Sequence, residues 1–205
     1  VLLPLLETLR YILFLPIFNP IYPHNTSVLF YLNYWIIYCL VYWGHSTILH
    51  GTLSQTEINE VFYASPLHDI GKITIPHEIL EKPGKLSADE FKIMQKHTTN
   101  AHDFLKSSKR RLMKAGDIIA YEHHEHWDGN GYPQGLKGEE IHIYGRIVAL
   151  ADVLDALAHK RVYKEAWSFN DSVTYILDKK GTQFDPYLVE LFEQNLSKFE
   201  EIIQE

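Results

Sequence analysis

The chain is 205 residues long, 22% charged and 46% hydrophobic, with 11 Gly and 9 Pro, which fits one globular domain with a sizeable core and excludes fibrous and disordered classes. Nineteen basic against 26 acidic residues give a net charge of −7, so no bulk positive field exists to hold a nucleic-acid duplex, and any phosphate ligand must be held locally. The one cysteine, Cys39, removes internal disulfides and cysteine-based zinc sites and is compatible with a reducing, cytoplasmic setting.

Charge divides the chain near residue 50. Residues 1–50 hold only Glu7 and Arg10 among charged side chains, and all the others fall in 51–205. Leu2–Phe18 is apolar but interrupted by Pro4, Glu7, Arg10 and Pro16, which makes it a poor span and no secretion signal. Residues 27–43 are apolar over a length at the lower limit for a helix crossing hydrocarbon. Within them Tyr31, Tyr34, Tyr38 and Tyr42 form one helical stripe, as a packed helix would show, and no interfacial belt. Two readings stay open: a membrane span that tethers the rest on the cytoplasmic face, or a core-packed or disrupted first helix. The expected organisation is a hydrophobic segment over 1–50 and a functional domain over 51–205.

Beyond residue 50 the pattern is helical almost throughout, and the expected class is all-α. Ser54 with Glu57 is a capping box opening a helix toward Leu67, and Ser87 with Glu90 opens another through His97. Pro83-Gly84 punctuates a short helix over 76–82. Residues 143–157 read as a buried helix, with Ile147, Leu150, Ala151, Leu154 and Leu157 at three- and four-residue steps. Gly181 and Asp185-Pro186 separate the last two expected helices.

Twelve histidines are present, and several are organised. His68-Asp69, His97, His123-His124 and Asp152 follow one another at intervals of about one helical hairpin. Imidazole and carboxylate suit iron, manganese, nickel or zinc, and a helical bundle can gather them in its core from distant positions. Six such groups exceed the needs of one tetrahedral ion. An Asp beside a His can bridge two ions about 3.5–4 Å apart, which clamp the attacking and leaving oxygens of a phosphoryl displacement. The implied reaction is phosphodiester hydrolysis. Taken singly, His24, His45, His50, His77, His102, His126, His142 and His159 read as ordinary surface or core residues. His123-His124 is ambiguous alone, since adjacent helical side chains diverge by about 100°. The whole set carries the metal reading.

These residues lie in a series of motifs: HDIGK at 68–72, ILEKPGKLS at 79–87, KHTT at 96–99, HHEHWDGNGYPQGLKG at 123–138, RIVALADVLDAL at 146–157, RVYK at 161–164 and GTQFDPYLV at 181–189. In this order they resemble the HD-GYP phosphodiesterases, a branch of the HD-domain metal-dependent phosphohydrolases. The resemblance implies an HD-domain helical bundle with a metal site in its core, holding two divalent ions, iron or manganese. It implies hydrolysis of cyclic di-GMP to linear pGpG, GMP or both. Asp69 would bridge the ions, with His68 and Asp152 completing one site and His97, His123 and His124 the other. Lys72, one turn from His68, would stabilise charge on the scissile phosphate. Tyr132, in the loop of Gly129, Gly131 and Pro133, would border the substrate pocket, a surface that also suits signalling-protein partners. Arg161 and Lys164 would contact phosphate and base, with Val162 standing where the family more often has proline.

One departure matters. The family's upstream ligand histidine falls at Ile36, and its preceding Glu at Leu32, neither of which can bind metal. The resemblance then implies a weaker first site. Two alternatives accompany the enzyme reading: a catalytically impaired relative that binds nucleotide or a partner, and a phosphohydrolase acting on another nucleotide.

Overall fold

The computed structural model describes residues 53–158 and 166–204. The expectations for 1–50, the membrane reading of 27–43 and the RVYK motif with Arg161 and Lys164 lie outside the described residues. Among these, the regular elements are helices. They are α1 (Gln55–Ala64), α2 (His77–Leu80), α3 (Ala88–Leu105), α4 (Arg111–Glu122), α5 (Ile143–Ala158), α6 (Phe169–Asp178), α7 (Pro186–Glu193) and α8 (Leu196–Gln204). The all-α expectation holds.

Local chemistry sets the helix starts. Ser54 accepts from the Glu57 amide while the Glu57 carboxylate accepts from the Ser54 amide at 2.7 Å. Ser87 and Glu90 repeat the box on α3, each satisfying amides that the first helical turn leaves unpaired. α1 stops at Ala64, and Ser65–Leu67 tightens into a 3-10 turn with Pro66 near its start. A second 3-10 segment, Ile70–Thr74, follows, so His68 and Asp69 sit in the joint between two tight turns. α3 runs past the expected end at His97 to Leu105, because Thr98, Ala101 and Leu105 are buried against neighbouring elements. α8 is an additional C-terminal helix, set off by a turn in which the Lys198 amide donates to the Asn195 carbonyl at 3.0 Å.

α5 is the centre of the bundle. Ile147, Val148, Leu150, Ala151 and Leu154 are fully or almost fully buried, the signature of a helix that is apolar on nearly all sides. Ile58 and Val61 of α1, Ile119 of α4, Ile176 of α6, Leu188 and Phe192 of α7 and Phe199 of α8 join it in one core. A smaller cluster of Ala101, Leu105 and Ala120 seals α3 against α4. These two contacts fix the frame on which the histidines are mounted.

Candidate metal centre

Four elements converge on one point. The turn after α1 supplies His68 and Asp69, α3 supplies His97, the C-terminus of α4 supplies His123 and His124, and α5 supplies Asp152. α4 ends at Glu122 with His123 as its cap, so His124 leaves the helical path. Their ring centroids can thus lie 4.0 Å apart, which resolves the divergence expected of neighbours within a helix.

Each buried imidazole is oriented through its Nδ1. His68 donates to the Ser65 carbonyl at 2.8 Å, His97 to the Met94 carbonyl at 2.8 Å and His123 to the Ile119 carbonyl at 3.0 Å. With Nδ1 carrying the proton, a neutral ring, as at His97 and His123, presents its Nε2 lone pair to the interior. His97 Nε2 and His123 Nε2 lie 3.5 Å apart, and ligand atoms of His97, His123 and His124 all fall within 4.8 Å of one another. Lone pairs gathered this way repel unless a cation lies among them, and the donor set fits a divalent metal ion.

Asp69 straddles two groups. Its Oδ2 faces His68 Nε2 at 3.3 Å and Lys72 Nζ at 2.5 Å, whereas its Oδ1 faces His97 Nε2 at 3.6 Å. Asp152 Oδ1 lies 3.7 Å from His68 Nε2. The structure therefore brings together all six residues singled out as ligands, together with Lys72.

The electrostatics divide the site. Burial pushes the His123 pKa well below the ordinary range, with His124 adding to the effect. Burial, and then His97, drive His124 down to about 3, and burial also lowers His97. These three rings are neutral at pH 7, the form a metal requires. At His68 burial again opposes charge, but Asp69 and Asp152 outweigh it and raise the pKa to about 9. Burial likewise opposes charge on Asp69, yet Lys72 and His68 hold its carboxyl well below the usual range. Positive charge is thus favoured beside the carboxylates and excluded among the imidazoles until a metal supplies it.

The glycine-rich loop closes over one side. Tyr132 stacks on His124 with centroids 4.8 Å apart and planes 28° apart, and its amide donates to the His124 carbonyl at 3.1 Å. Burial, with the Asp69 carboxylate, pushes its phenol upward and keeps it neutral. Sequence reasoning passed over Glu125. That carboxylate is 2% exposed and accepts from the amides of Gln134 at 2.7 Å and Leu136 at 3.0 Å, which fastens the far limb of the loop beneath the histidine pair. Its signal was an acid beside two candidate ligands and ahead of a loop with many amides to satisfy.

A family model described as HD domain matches residues 42–188. The chain belongs to the HD-domain family. This HD domain is 49% identical to the 3'3'-cGAMP-specific phosphodiesterase 2 of Vibrio cholerae over 72% of the chain and 28% of that protein. It is 44% identical to a cyclic di-GMP phosphodiesterase response regulator of Xanthomonas campestris over 73% of the chain and 40% of that protein. A cyclic di-GMP phosphodiesterase of Thermotoga maritima is 45% identical over 68% of the chain and 38% of its own length. The chain spans well under half the length of these curated relatives. Among solved structures, a cyclic GMP-AMP-specific phosphodiesterase of V. cholerae aligns with a TM-score of 0.56 at 21% identity, over 83% of this chain and 46% of that one. An HD-GYP-type protein of Bdellovibrio bacteriovorus aligns with a TM-score of 0.60 at 14% identity, over 85% and 51%. Both likenesses concern the fold, and they agree with the HD-domain helical bundle expected from the motifs. Among the described residues no helix is long and apolar enough to cross a membrane.

Proposed function

We propose that this HD domain, over residues 51–205, is a metal-dependent phosphodiesterase that hydrolyses cyclic di-GMP to linear pGpG, GMP or both. The observation that carries the reading is the convergence of the His97, His123 and His124 lone pairs beside a carboxylate whose two oxygens face different groups. The names of the curated relatives, all cyclic-dinucleotide phosphodiesterases, support the substrate class.

In this reading His97, His123 and His124 hold one ion, His68 and Asp152 help hold a second, and Asp69 serves both; iron or manganese suits the set. When bound, the ions supply Lewis acidity toward the phosphodiester and its attacking water. In the overall reaction a water oxygen bonds to phosphorus, the P–O3′ bond breaks and the 3′ oxygen leaves with a proton, giving pGpG. A second hydrolysis gives GMP. Lys72, ion-paired to Asp69 and one-third exposed, places its ammonium where it can neutralise charge on the phosphate. Tyr132 walls the pocket on the His124 side, and the reading gives Arg161 and Lys164, which lie outside the described residues, the role of binding phosphate and base.

A second reading is favoured by Ile36, which stands where the resemblance places a further histidine. It weakens the His68–Asp152 site and makes the domain a nucleotide-binding module without turnover. Metal analysis with cyclic di-GMP and 3'3'-cGAMP turnover separates the two. About two ions per chain, with turnover abolished in His123→Ala and Asp69→Ala, supports the enzyme. Nucleotide binding with at most one ion and no turnover after reconstitution with manganese or iron overturns it. Faster turnover of 3'3'-cGAMP than of cyclic di-GMP would reassign the substrate within the same class.

A further inference from the structure

Among the described residues Tyr63, Ile73, Leu80, Phe91, Phe104 and Leu112 are the large apolar side chains left exposed, and Phe91 is the one in ring contact with the glycine-rich loop of the metal centre. It sits in the first turns of α3, 46% exposed, with its ring centroid 6.1 Å from that of Tyr132 and the planes at 81°. Tyr132 in turn stacks on His124, whose ring lies 5.1 Å from that of His97. A continuous aromatic run thus leads from the imidazole cluster through Tyr132 to an open phenyl ring.

Resting on the phosphodiesterase reading above, we propose that Phe91 is a stacking platform for a purine base of the cyclic dinucleotide. A nucleotide base is separated from its phosphate by one ribose, so a phosphate held beside Asp69 and Lys72 carries its base outward, along the wall that Tyr132 and Phe91 form. The Leu86-Ser87 and Phe91 spacing is that of a hydrophobic staple at the start of a capped helix. A staple explains an apolar residue at position 91, but leucine would serve it equally, and Phe91 remains 46% exposed. The capping box fixes the backbone ahead of Phe91 and the edge contact with Tyr132 steadies its ring, which lowers the freedom lost on binding. Stacking on an aromatic face is tolerant of base identity. The platform therefore serves the bases of cyclic dinucleotides as a class and does not separate guanine from adenine.

The test compares Phe91→Ala, Phe91→Leu and Phe91→Trp with the wild type, at saturating manganese, on cyclic di-GMP and 3'3'-cGAMP. Stacking that is equal in ground and transition states appears in KM and leaves kcat alone. The Ala and Leu variants are expected to raise KM about tenfold for both substrates, with kcat and metal content retained, while Trp keeps the wild-type KM. A KM within about twofold of wild type in the Ala variant, a Leu variant that matches wild type, or a loss carried by kcat or metal content overturns the platform alone. A wild type that neither binds nor cleaves either dinucleotide overturns the phosphodiesterase reading and the platform with it.

Discussion

The Nε2 atoms of His97 and His123 face each other at 3.5 Å, and backbone packing holds them there. A Cβ on Gly71 would lie 1.9 Å from the His97 carbonyl oxygen and 3.0 Å from the Ala101 amide, so the turn that carries His68 and Asp69 rests directly on α3. Gly71→Ala must push the two apart. The expected outcome is a loss of about 1–3 kcal/mol in chemical denaturation, as for other overpacked positions, together with fewer ions per chain by metal analysis. Glu125 controls a different feature. Replacing it by Gln turns one of its two acceptors into a donor that faces a backbone amide, which costs about 1–3 kcal/mol for a buried group. On the proposed reading, Glu125→Gln is expected to loosen the Tyr132 loop and raise KM for cyclic di-GMP, with metal content unchanged because His97, His123 and His124 are not touched. Metal analysis and steady-state kinetics on one sample check both halves. The candidate ligands were legible in the sequence because their chemistry is rare and their spacing regular. Glu125 was not, because an acid beside two histidines reads equally as ligand, surface residue or loop support until its amide partners are seen.

At the scale of elements, α3 carries both His97 and Phe91, and its start is held by charge. The Glu90 carboxylate accepts from Lys82 Nζ at 2.6 Å and from the Ser87 amide at 2.7 Å. The Lys82 hydrogen bond, followed by the Ser87 amide, lowers its pKa from the ordinary glutamate value of 4.5 to about 2. A carboxyl with a depressed folded-state pKa stabilises the fold above its unfolded value, and that contribution is lost as pH falls through the folded one. Glu90→Gln is therefore expected to lower Tm at pH 7, and the gap to wild type is expected to close as pH falls from about 4.5 toward 2. Thermal scans followed by circular dichroism across that range decide it. The start of α3 was readable because a capping box is a local code. Its end was not, since the helix continues to Leu105 through the burial of Thr98, Ala101 and Leu105 against neighbouring elements, and tertiary contact leaves no local mark.

Across the whole molecule, the all-α class and the burial of α5 followed from periodicity, and the bundle from the motifs, but the tie between the half that carries the histidine cluster and the C-terminal helices was not legible. Asp185 was legible as a helix start ahead of Pro186, and its Oδ1 does accept from the Tyr187 amide at 2.8 Å. Its Oδ2 has a second task, taking Arg146 Nη1 at 2.6 Å with the carboxylate only 3% exposed. Arg146 lies on α5, with its guanidinium 5.6 Å from the centre of the Trp127 ring. The Trp127 and Asp128 amides donate to the Gln183 and Thr182 carbonyls. One ion pair thus joins the helix of Asp152, the base of the glycine-rich loop and α7. Asp185→Asn keeps an oxygen for the helix cap but leaves the Arg146 charge largely buried and unpaired, a change that costs about 3–5 kcal/mol. For a domain of this size that is a fall in Tm of about 2–4 °C for each kcal/mol. Asp185→Ala, which loses the cap as well, is expected to fall further by about 1 kcal/mol. Because none of the six candidate ligands is touched, the proposed reading expects the Asn variant that remains folded at 25 °C to match the wild type in metal content. Urea denaturation with metal analysis of the native fraction therefore separates a tie that holds the bundle together from one that shapes the site: a full complement of ions with reduced stability supports the former, and lost ions at unchanged stability would refute it.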